Sequence, residues 1–209
     1  MTRIEQLIAT YPELDVCASD IEFAVKLLRD CYRRGGKVLT CGNGGSAADA
    51  EHIVGELMKG YLRKRPVPEE TRMKLMAASP EAGDYLAGHL QGALPAISLV
   101  SQTALNSAIA NDTAADIVFA QQVYGYGRGG DGLIGLSTSG NSLNVVYAMQ
   151  VGRVLGLHTI ALTGPTGGML KSLCDVCICV PGESTPAIQE RHLPVYHVLC
   201  AMLEEEFFA

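Results

Sequence analysis

The sequence predicts an α/β protein with a doubly wound, five-stranded parallel sheet. Five short apolar runs rich in β-branched residues recur along the chain, and segments with helical periodicity separate most of them. Strands that alternate with helices are typical of βαβ units, in which successive strands run parallel. The strands are predicted at residues 37–42, 95–101, 132–138, 158–164 and 176–182.

Residues 1–36 are predicted to form N-terminal helices that append to a main domain over residues 37–209. Ser19 and Asp20 are residue types that begin helices, and the apolar residues after them repeat at helical spacing. Gly35 and Gly36 then end the pattern, as glycines at helix C-termini commonly do.

The first predicted strand leads into the glycine-rich stretch CGNGGSAADAEHIVGE, residues 41–56. Its small residues leave backbone N–H groups open at a helix N-terminus, where an anion binds favourably. On that helix, His52 and Glu56 are four residues apart and therefore neighbours on one face. Such a pair suits metal binding or proton transfer, and it equally suits a simple contact on the helix surface.

The helix that carries His52 and Glu56 is followed by a basic group and by a long connecting segment. Arg63, Lys64 and Arg65 form the only dense basic group, which we interpret as a solvated helix end. Residues 66–94 are too long for an ordinary connection, so we expect a short helical insertion there.

A second polar loop, STSGNS at residues 137–142, follows the third predicted strand. Ligands of open parallel sheets bind beyond the carboxyl ends of the strands, where both polar loops are expected. Hydroxyl and N–H donors beside a helix N-terminus suit a phosphate, although Ser and Gly are also ordinary turn and capping residues. Neither nucleotide-binding glycine motif follows a strand, so the pattern favours a sugar phosphate.

The C-terminal helix carries a second polar set in IQERHLPVYH, residues 188–197. Gln189 and His197 could join His52 and Glu56 in a nitrogen and oxygen site that suits zinc, nickel, manganese or iron. Gln189 and His197 are eight positions apart, which is ~12 Å along an ideal helix and long for one ion. Pro194 would bend the helix, or else Gln189 contacts the substrate instead. The alternative to a metal site is that the histidine is a core residue with satisfied hydrogen bonds and the glutamine is a surface residue.

Composition excludes several classes of function. The net charge is −6 and the basic residues do not form a broad face, so we expect no direct nucleic-acid partner. No run approaches the ~18 apolar residues of a membrane span, and the N-terminus lacks an apolar leader, so we expect a cytoplasmic protein.

Together the motifs resemble the sugar isomerase (SIS) domain family and, within it, the phosphoheptose isomerases. The resemblance rests on CGNGGSAADAEH with Glu56, AIAND (108–112), GLSTSGNS (135–142), ALTG (161–164), and IQERH followed by His197. It implies a flavodoxin-like sheet, a homotetramer held through the N-terminal helices, active sites at subunit interfaces, and isomerisation of sedoheptulose 7-phosphate to a heptose 7-phosphate through an enediol.

The resemblance also implies roles for individual residues. Glu56 would be the base and His197 the acid. One divalent metal, expected to be zinc, would be held by His52, Glu56, Gln189 and His197. The phosphorylated sugar would contact Asn43, Gly44, Gly45, Ser46, Asn111, Asp112, Ser137, Thr138, Ser139, Ser142 and Gln189.

Three departures from these relatives bear on the substrate. The segment between Glu56 and Asn111 is longer than usual, Gly60 stands where an arginine is usual, and Pro186 and Ala187 replace an acidic-basic pair. They favour a phosphosugar isomerase more firmly than a heptose substrate. Two rival hypotheses are a non-enzymatic SIS protein that binds the bacterial replication initiator, which lacks counterparts of Glu56 and His197, and a sugar-phosphate-sensing module.

Overall fold

The computed structural model describes residues 1–208, and its centre is a five-stranded parallel sheet. The strands are β1 (Val38–Gly42), β2 (Ala96–Ser98), β3 (Gly132–Ser137), β4 (His158–Thr163) and β5 (Val176–Cys179). Each lies inside one of the five predicted runs, which confirms the predicted sheet. Strand β1 ends at Gly42 as predicted, and β2 to β5 end one to three residues earlier than predicted.

Ten α-helices and two short 3₁₀ helices, at Pro12–Cys17 and Ala115–Ile117, connect and flank these strands within residues 1–208. The α-helices are α1 (Arg3–Thr10), α2 (Ala18–Arg33), α3 (Gly45–Met58), α4 (Glu69–Ala78), α5 (Gly83–His89), α6 (Thr103–Asp112), α7 (Val118–Tyr126), α8 (Leu143–Val154), α9 (Leu170–Leu173) and α10 (Thr185–Phe207).

The strand order β2-β1-β3-β4-β5 reverses direction between β1 and β3. Leu39 of β1 pairs with Ile97 of β2 on one side and with Leu133 of β3 on the other. The chain therefore leaves β1 towards one edge and β3 towards the other, which opens a crevice beyond their carboxyl ends. Both polar loops singled out in the sequence lie there, because one follows β1 and the other follows β3.

Helices cover both faces of the sheet, and each face has its own apolar core. One core joins the sheet to α1, α2, α3 and α10 through buried residues that include Leu28, Ile53, Leu136, Ile160 and Val195. The other joins it to α6, α7, α8 and α9 through Leu39, Val123, Leu133, Met149 and Leu170.

The N-terminal helices are present, and α2 is one of the helices that cover the sheet. Ile21 and Leu28 of α2 are fully buried in the same core as Ile160 and Val176 of β4 and β5. The packing of α2 thereby supports the sheet beneath α3 and α10, the two helices that carry His52 and His197.

Helices α4 and α5 lie between β1 and β2 in the chain, and they pack mainly on each other. No residue of α4 is buried. A single bridge between Pro66 and Gln91 closes the base of this segment, and the Gly60 N–H donates to Gln91 Oε1 at 2.7 Å. The segment is therefore a small helical pair attached by a narrow neck.

Candidate active site

The turn after β1 is tight and carries little side-chain bulk. Gly44, the N-cap of α3, has φ 57°, a conformation that favours glycine. Asn43, Gly44 and Gly45 are exposed, Ser46 is buried, and no side chain caps the first N–H groups of α3. Since those first amides lack intrahelical partners, this turn can receive an anion.

Gln189 lies against this turn. A Cβ atom built on Gly45 would sit 2.6 Å from Gln189 Nε2, so the side-chain amide of Gln189 packs where only glycine leaves room. Helix α10 runs unbroken from Thr185 to Phe207 past Pro194. This position, at the N-terminus of α3, places the Gln189 amide within reach of a substrate bound at the loop.

The serine loop after β3 is held from two directions. Ser137 Oγ lies 3.0 Å from Ser142 Oγ, and Asn141 Oδ1 accepts from the Met169 N–H at 2.9 Å. Gly140 has φ 68°, and a Cβ there would lie 2.1 Å from the Gly167 carbonyl oxygen. Thr138 is half-buried and Ser139 exposed, so the loop presents its hydroxyls from a fixed backbone.

An amide pair joins the two loops across the crevice. Asn43 Nδ2 donates to Asn144 Oδ1 at 2.9 Å, and Asn144 Nδ2 donates to Asn43 Oδ1 at 2.8 Å. The sequence analysis missed Asn144, although its place in the first turn after the serine loop could have indicated it. The pair confirms that the loops after β1 and β3 meet.

His52, Glu56 and His197 come together where α3 and α10 pack. His52 Nε2 lies 3.1 Å from Glu56 Oε1, and the His52 and His197 rings are nearly perpendicular with centroids 5.0 Å apart. His197 Nε2 is buried and has no hydrogen-bond partner within residues 1–208. His197 also lines a cavity of about 180 Å³ with Tyr61 and part of α1.

The surroundings keep His197 neutral near pH 7. Burial lowers the pKa of His197 and the neighbouring His52 lowers it further, while Glu56 opposes them. A neutral imidazole carries one N–H and one lone pair, so it can either give or take a proton.

His52 is held from behind by residues that the sequence analysis missed. His52 Nδ1 lies 2.9 Å from the Tyr196 hydroxyl, which donates to Asp49 Oδ1 at 3.2 Å. Tyr196 is 1% exposed. Burial raises the pKa of Asp49, an effect that the Tyr196 hydrogen bond and His52 reduce. Asp49 stands three residues before His52 on α3, a spacing that could have indicated contact.

The interpretation of residues 63–65 as a solvated helix end is wrong for Arg65. Its side chain is fully buried and pairs with Glu204 at 2.9 Å. Glu204 also accepts from the N–H groups of Tyr61, Leu62 and Arg63. This buried pair fixes the loop that holds Tyr61, whose ring centroid lies 5.4 Å from that of His197. The charge pattern of the sequence does not reveal the pair, because Arg65 and Glu204 are far apart in the chain.

Asn111 and Asp112 end α6 and are exposed. Within residues 1–208 their side chains hydrogen-bond to each other, at 2.8 Å, and to neither polar loop. One chain thus brings together the two loops and, separately, the histidines with Glu56, and it leaves Asn111 and Asp112 apart from both.

The donor set suits a metal ion in its chemistry. His52, Glu56 and His197 offer two imidazoles and a carboxylate, and the unpartnered Nε2 of His197 is the kind of atom that a metal would satisfy. As they stand, no three His, Cys, Asp or Glu side chains of residues 1–208 are arranged to hold a metal ion. His52 Nε2 and Glu56 Oε1 instead face each other, so the four-residue ligand set stays a prediction.

Comparisons with known proteins agree on one family. A model of the SIS domain matches residues 5–87 and 72–164, two segments whose overlap falls in the α4 and α5 region. The chain is 39% identical over 191 residues to the phosphoheptose isomerase of Akkermansia muciniphila, covering 91% of this chain and 87% of that one.

Solved structures give the same result. The fold matches a phosphoheptose isomerase from Neisseria gonorrhoeae with a TM-score of 0.71 and 33% identity, over 95% of this chain and 98% of that chain. It matches a phosphoheptose isomerase from Francisella tularensis with a TM-score of 0.76 and 28% identity, over 98% and 100%. Among the described residues, none of the helices has the length and hydropathy needed to span a bilayer.

Proposed function

The chain belongs to the SIS-domain family and, within it, to the phosphoheptose isomerases, and we propose that it isomerises sedoheptulose 7-phosphate to heptose 7-phosphate. The observation that carries the proposal is the meeting of Glu56, His52 and His197 on the two helices that pack beside the polar loops. A carboxylate and an imidazole at one point supply the base and the acid that an aldose-ketose isomerisation requires.

The distance between the loops and these residues favours a long sugar. His52 is seven positions after Gly45 on α3, a rise of ~10 Å along the helix. A phosphate held at the loops therefore needs several carbons between it and the reacting carbonyl. A seven-carbon sugar with its phosphate on C7 and its carbonyl at C1 or C2 meets this condition.

The reaction moves one proton between carbons and one between oxygens. A base removes a proton from C1 of the ketose, the C–H electron pair forms the C1–C2 double bond, and the C2 oxygen takes up a proton to give an enediol. Loss of the O1 proton and protonation of C2 then leave C1 as the aldehyde. Atoms and charge balance within the substrate.

Glu56 is the proposed base and His197 the proposed acid. Glu56 Oε1 faces His52, whereas Oε2 has only a long contact of 3.5 Å with Lys59 Nζ and is the oxygen available to a C–H proton. His197 Nε2 is the unpartnered nitrogen that a metal ion would take, so the proton exchanged with a substrate oxygen is assigned to the other ring nitrogen, Nδ1.

We include zinc in the proposal, held by His52, Glu56 and His197 with Gln189 as the fourth predicted ligand. When bound, the ion would polarise the substrate carbonyl. The steps assigned above to Glu56 and His197 are proton transfers by the protein's own groups.

A homotetramer with shared active sites completes the proposal. Apolar side chains remain exposed on the N-terminal segment, among them Val16 (74% exposed) and Phe23 (42%). Burying them against other copies would remove apolar surface from water. Asn111 and Asp112, exposed at the end of α6, would then be available to a neighbouring subunit's substrate.

The test is a substrate panel. Protein loaded with zinc is incubated with sedoheptulose 7-phosphate and with shorter ketose phosphates, and aldose formation is followed by NMR. We expect turnover of sedoheptulose 7-phosphate in preference to the shorter sugars. Tight binding of several sugar phosphates without turnover of any would contradict the proposal and favour a sensing module.

A further inference from the structure

Four side chains on α3 and α10 form one continuous hydrogen-bonded chain. Asp49 Oδ1 is 3.2 Å from the Tyr196 hydroxyl, this hydroxyl is 2.9 Å from His52 Nδ1, and His52 Nε2 is 3.1 Å from Glu56 Oε1. The two ends of the chain are carboxylates, and its middle is a phenol and an imidazole. Tyr196 is buried, so solvent does not replace the two contacts it makes, whereas the His52 side chain is 42% exposed where it meets Glu56.

Counting protons fixes the direction of the two hydrogen bonds that Tyr196 makes. An ionised Asp49 only accepts, so the single hydroxyl proton of Tyr196 goes to Asp49. The Tyr196 oxygen is then an acceptor towards His52, and His52 Nδ1 must carry a proton to donate to it. The reverse assignment, with Tyr196 donating to His52, would leave the Asp49 and Tyr196 oxygens in contact without a proton between them.

We propose that Tyr196 and Asp49 are positioning residues that keep a proton on Nδ1 of His52 and thereby direct Nε2 of His52 at Glu56. The inference rests on the proposed function for the roles of His52 and Glu56. Nε2 is then the atom that His52 offers to a metal ion, because its lone pair is free only when the ring's other nitrogen holds the proton. Without a metal ion, the contact between Nε2 and Glu56 Oε1 is a hydrogen bond only when a second proton lies between them, on Nε2 or on the carboxyl group.

Packing makes Tyr196 a rigid support for this arrangement. Its ring meets those of His52 and His197 edge to face, with centroids 5.4 and 5.1 Å apart. The phenol therefore contacts both imidazoles and orients one of them by hydrogen bonding. Without the hydroxyl, the His52 ring keeps its packing but loses the contact that selects its orientation.

The direct test is the tautomer of His52 in protein without metal or substrate. Long-range proton-nitrogen NMR on protein labelled with ¹⁵N-histidine distinguishes protonated from unprotonated ring nitrogens, and a His52→Gln sample assigns the signal among the five histidines. We expect a protonated Nδ1 in the wild type and a mixture of ring states in Tyr196→Phe. A wild-type His52 protonated only on Nε2 would overturn the proposal, whether or not the variant folds.

Zinc titration and kinetics supply the second readout. We expect Tyr196→Phe and Asp49→Asn to weaken zinc binding by about 10 to 100-fold, the range for lost outer contacts of a metal-binding histidine, and to lower kcat more than they change KM. Tyr32→Phe is the matched control, because it removes another buried phenol hydroxyl, bonded to the Pro95 carbonyl far from His52 in sequence. Equal effects of Tyr196→Phe and Tyr32→Phe on zinc affinity would contradict a positioning role.

The two proposals fail in different ways. If the protein does not turn over sedoheptulose 7-phosphate, the proposed function fails, but the NMR measurement of His52 stands because it uses no substrate. If the protein is active and His52 carries its proton on Nε2 alone, the function stands and the positioning proposal fails.

Discussion

Glu56 is the residue on which the chemistry depends most. Its side chain is 12% exposed, with one oxygen on His52 and the other free enough to reach a substrate. We expect Glu56→Gln to lower kcat by about 100-fold or more, because an amide of the same shape cannot take the C1 proton. Steady-state rates of aldose formation measure this.

A neighbour on the same helix supplies the control for Glu56. Glu51 is an exposed carboxylate that accepts from Ser101 Oγ at 2.7 Å, away from the histidines. Glu51→Gln should leave kcat within about two-fold, the effect of a surface change. Similar losses in both variants would mean that Glu56 acts only through general effects on α3.

His192 makes the folded state sensitive to acid. It is fully buried, and its Nε2–H donates to the Thr163 carbonyl at 3.2 Å. Burial lowers the pKa of His192 to about 4, below the ~6.5 of an unfolded chain. Its contribution to stability is therefore complete above about pH 6.5 and is lost as the pH falls towards 4, because only the unfolded chain takes up the proton in that window.

Urea unfolding at about pH 7 and about pH 5.5 tests this prediction. The wild type should lose roughly 1 kcal/mol more than His192→Gln over that interval. The comparison between the two proteins cancels the other titrating groups they share. Parallel pH dependences in wild type and variant would show that His192 is not responsible.

The sequence could predict those side-chain contacts that depend on spacing along one helix. His52 and Glu56 were expected to touch because four residues make one helical turn, and they do. The side chains that Tyr196 and Arg65 hydrogen-bond lie more than 100 residues away in the chain, so no local pattern contains them. Spacing rules therefore predict the contact between His52 and Glu56, but they do not reach the residues that support it.

The loop between α3 and α4 depends on one buried ion pair. Burial alone would raise the pKa of Glu204, but the N–H donors of Tyr61 and Leu62 and the Arg65 guanidinium outweigh it and lower that pKa. Removing one partner of such a pair leaves a buried charge unpaired. Glu204→Ala should therefore lower the free energy of unfolding by about 3 kcal/mol or more.

The adjacent residue offers a matched control. Glu205 pairs with Arg3 at 2.7 Å on the surface, where ion pairs contribute little. Glu205→Ala should cost less than about 1 kcal/mol in the same denaturant titration. Equal losses for the two variants would contradict a special role for the buried pair.

The neck of the α4 and α5 pair requires glycine at position 60, where the resemblance to phosphoheptose isomerases would lead one to expect an arginine. A Cβ on Gly60 would lie 2.5 Å from both the Arg63 carbonyl and Gln91 Oε1, so an arginine does not fit where this neck closes. The neck also borders a cleft of about 640 Å³, lined by residues that include Tyr61, Leu62, Arg63 and His89. Tyr61 and Leu62 line the smaller cavity at His197 as well, so the two spaces share part of their lining.

Replacing residues 67–90 with a short flexible linker tests the role of this pair. The fold should survive, because α4 buries nothing and Pro66 and Gln91 are already bridged. We expect a higher KM for sedoheptulose 7-phosphate and a smaller change in kcat, measured by the same NMR assay. Unchanged kinetics for every sugar phosphate would remove the insertion from substrate recognition.

The overall architecture could be predicted because each strand is encoded by a short local segment. The crevice then follows from the order of the strands in the sheet. Each strand is a short apolar run, and a doubly wound order places the loops after β1 and β3 side by side. Sequence patterns did not indicate that α2 covers β3 to β5 or that α10 continues through Pro194, since both depend on packing between distant segments. The position of Asn111 and Asp112 relative to a neighbouring subunit likewise cannot be predicted from the sequence pattern of one chain.

Proton exchange at the substrate tests the central claim most directly. Sedoheptulose 7-phosphate is incubated in D₂O with wild type, Glu56→Gln and His197→Asn, and deuterium at C1 of the ketose and C2 of the aldose is followed by NMR. The account predicts incorporation by the wild type, which Glu56→Gln reduces by about 100-fold or more. Wild-type exchange that persists at full rate in Glu56→Gln, or an aldose formed without solvent deuterium at any stage, would contradict it.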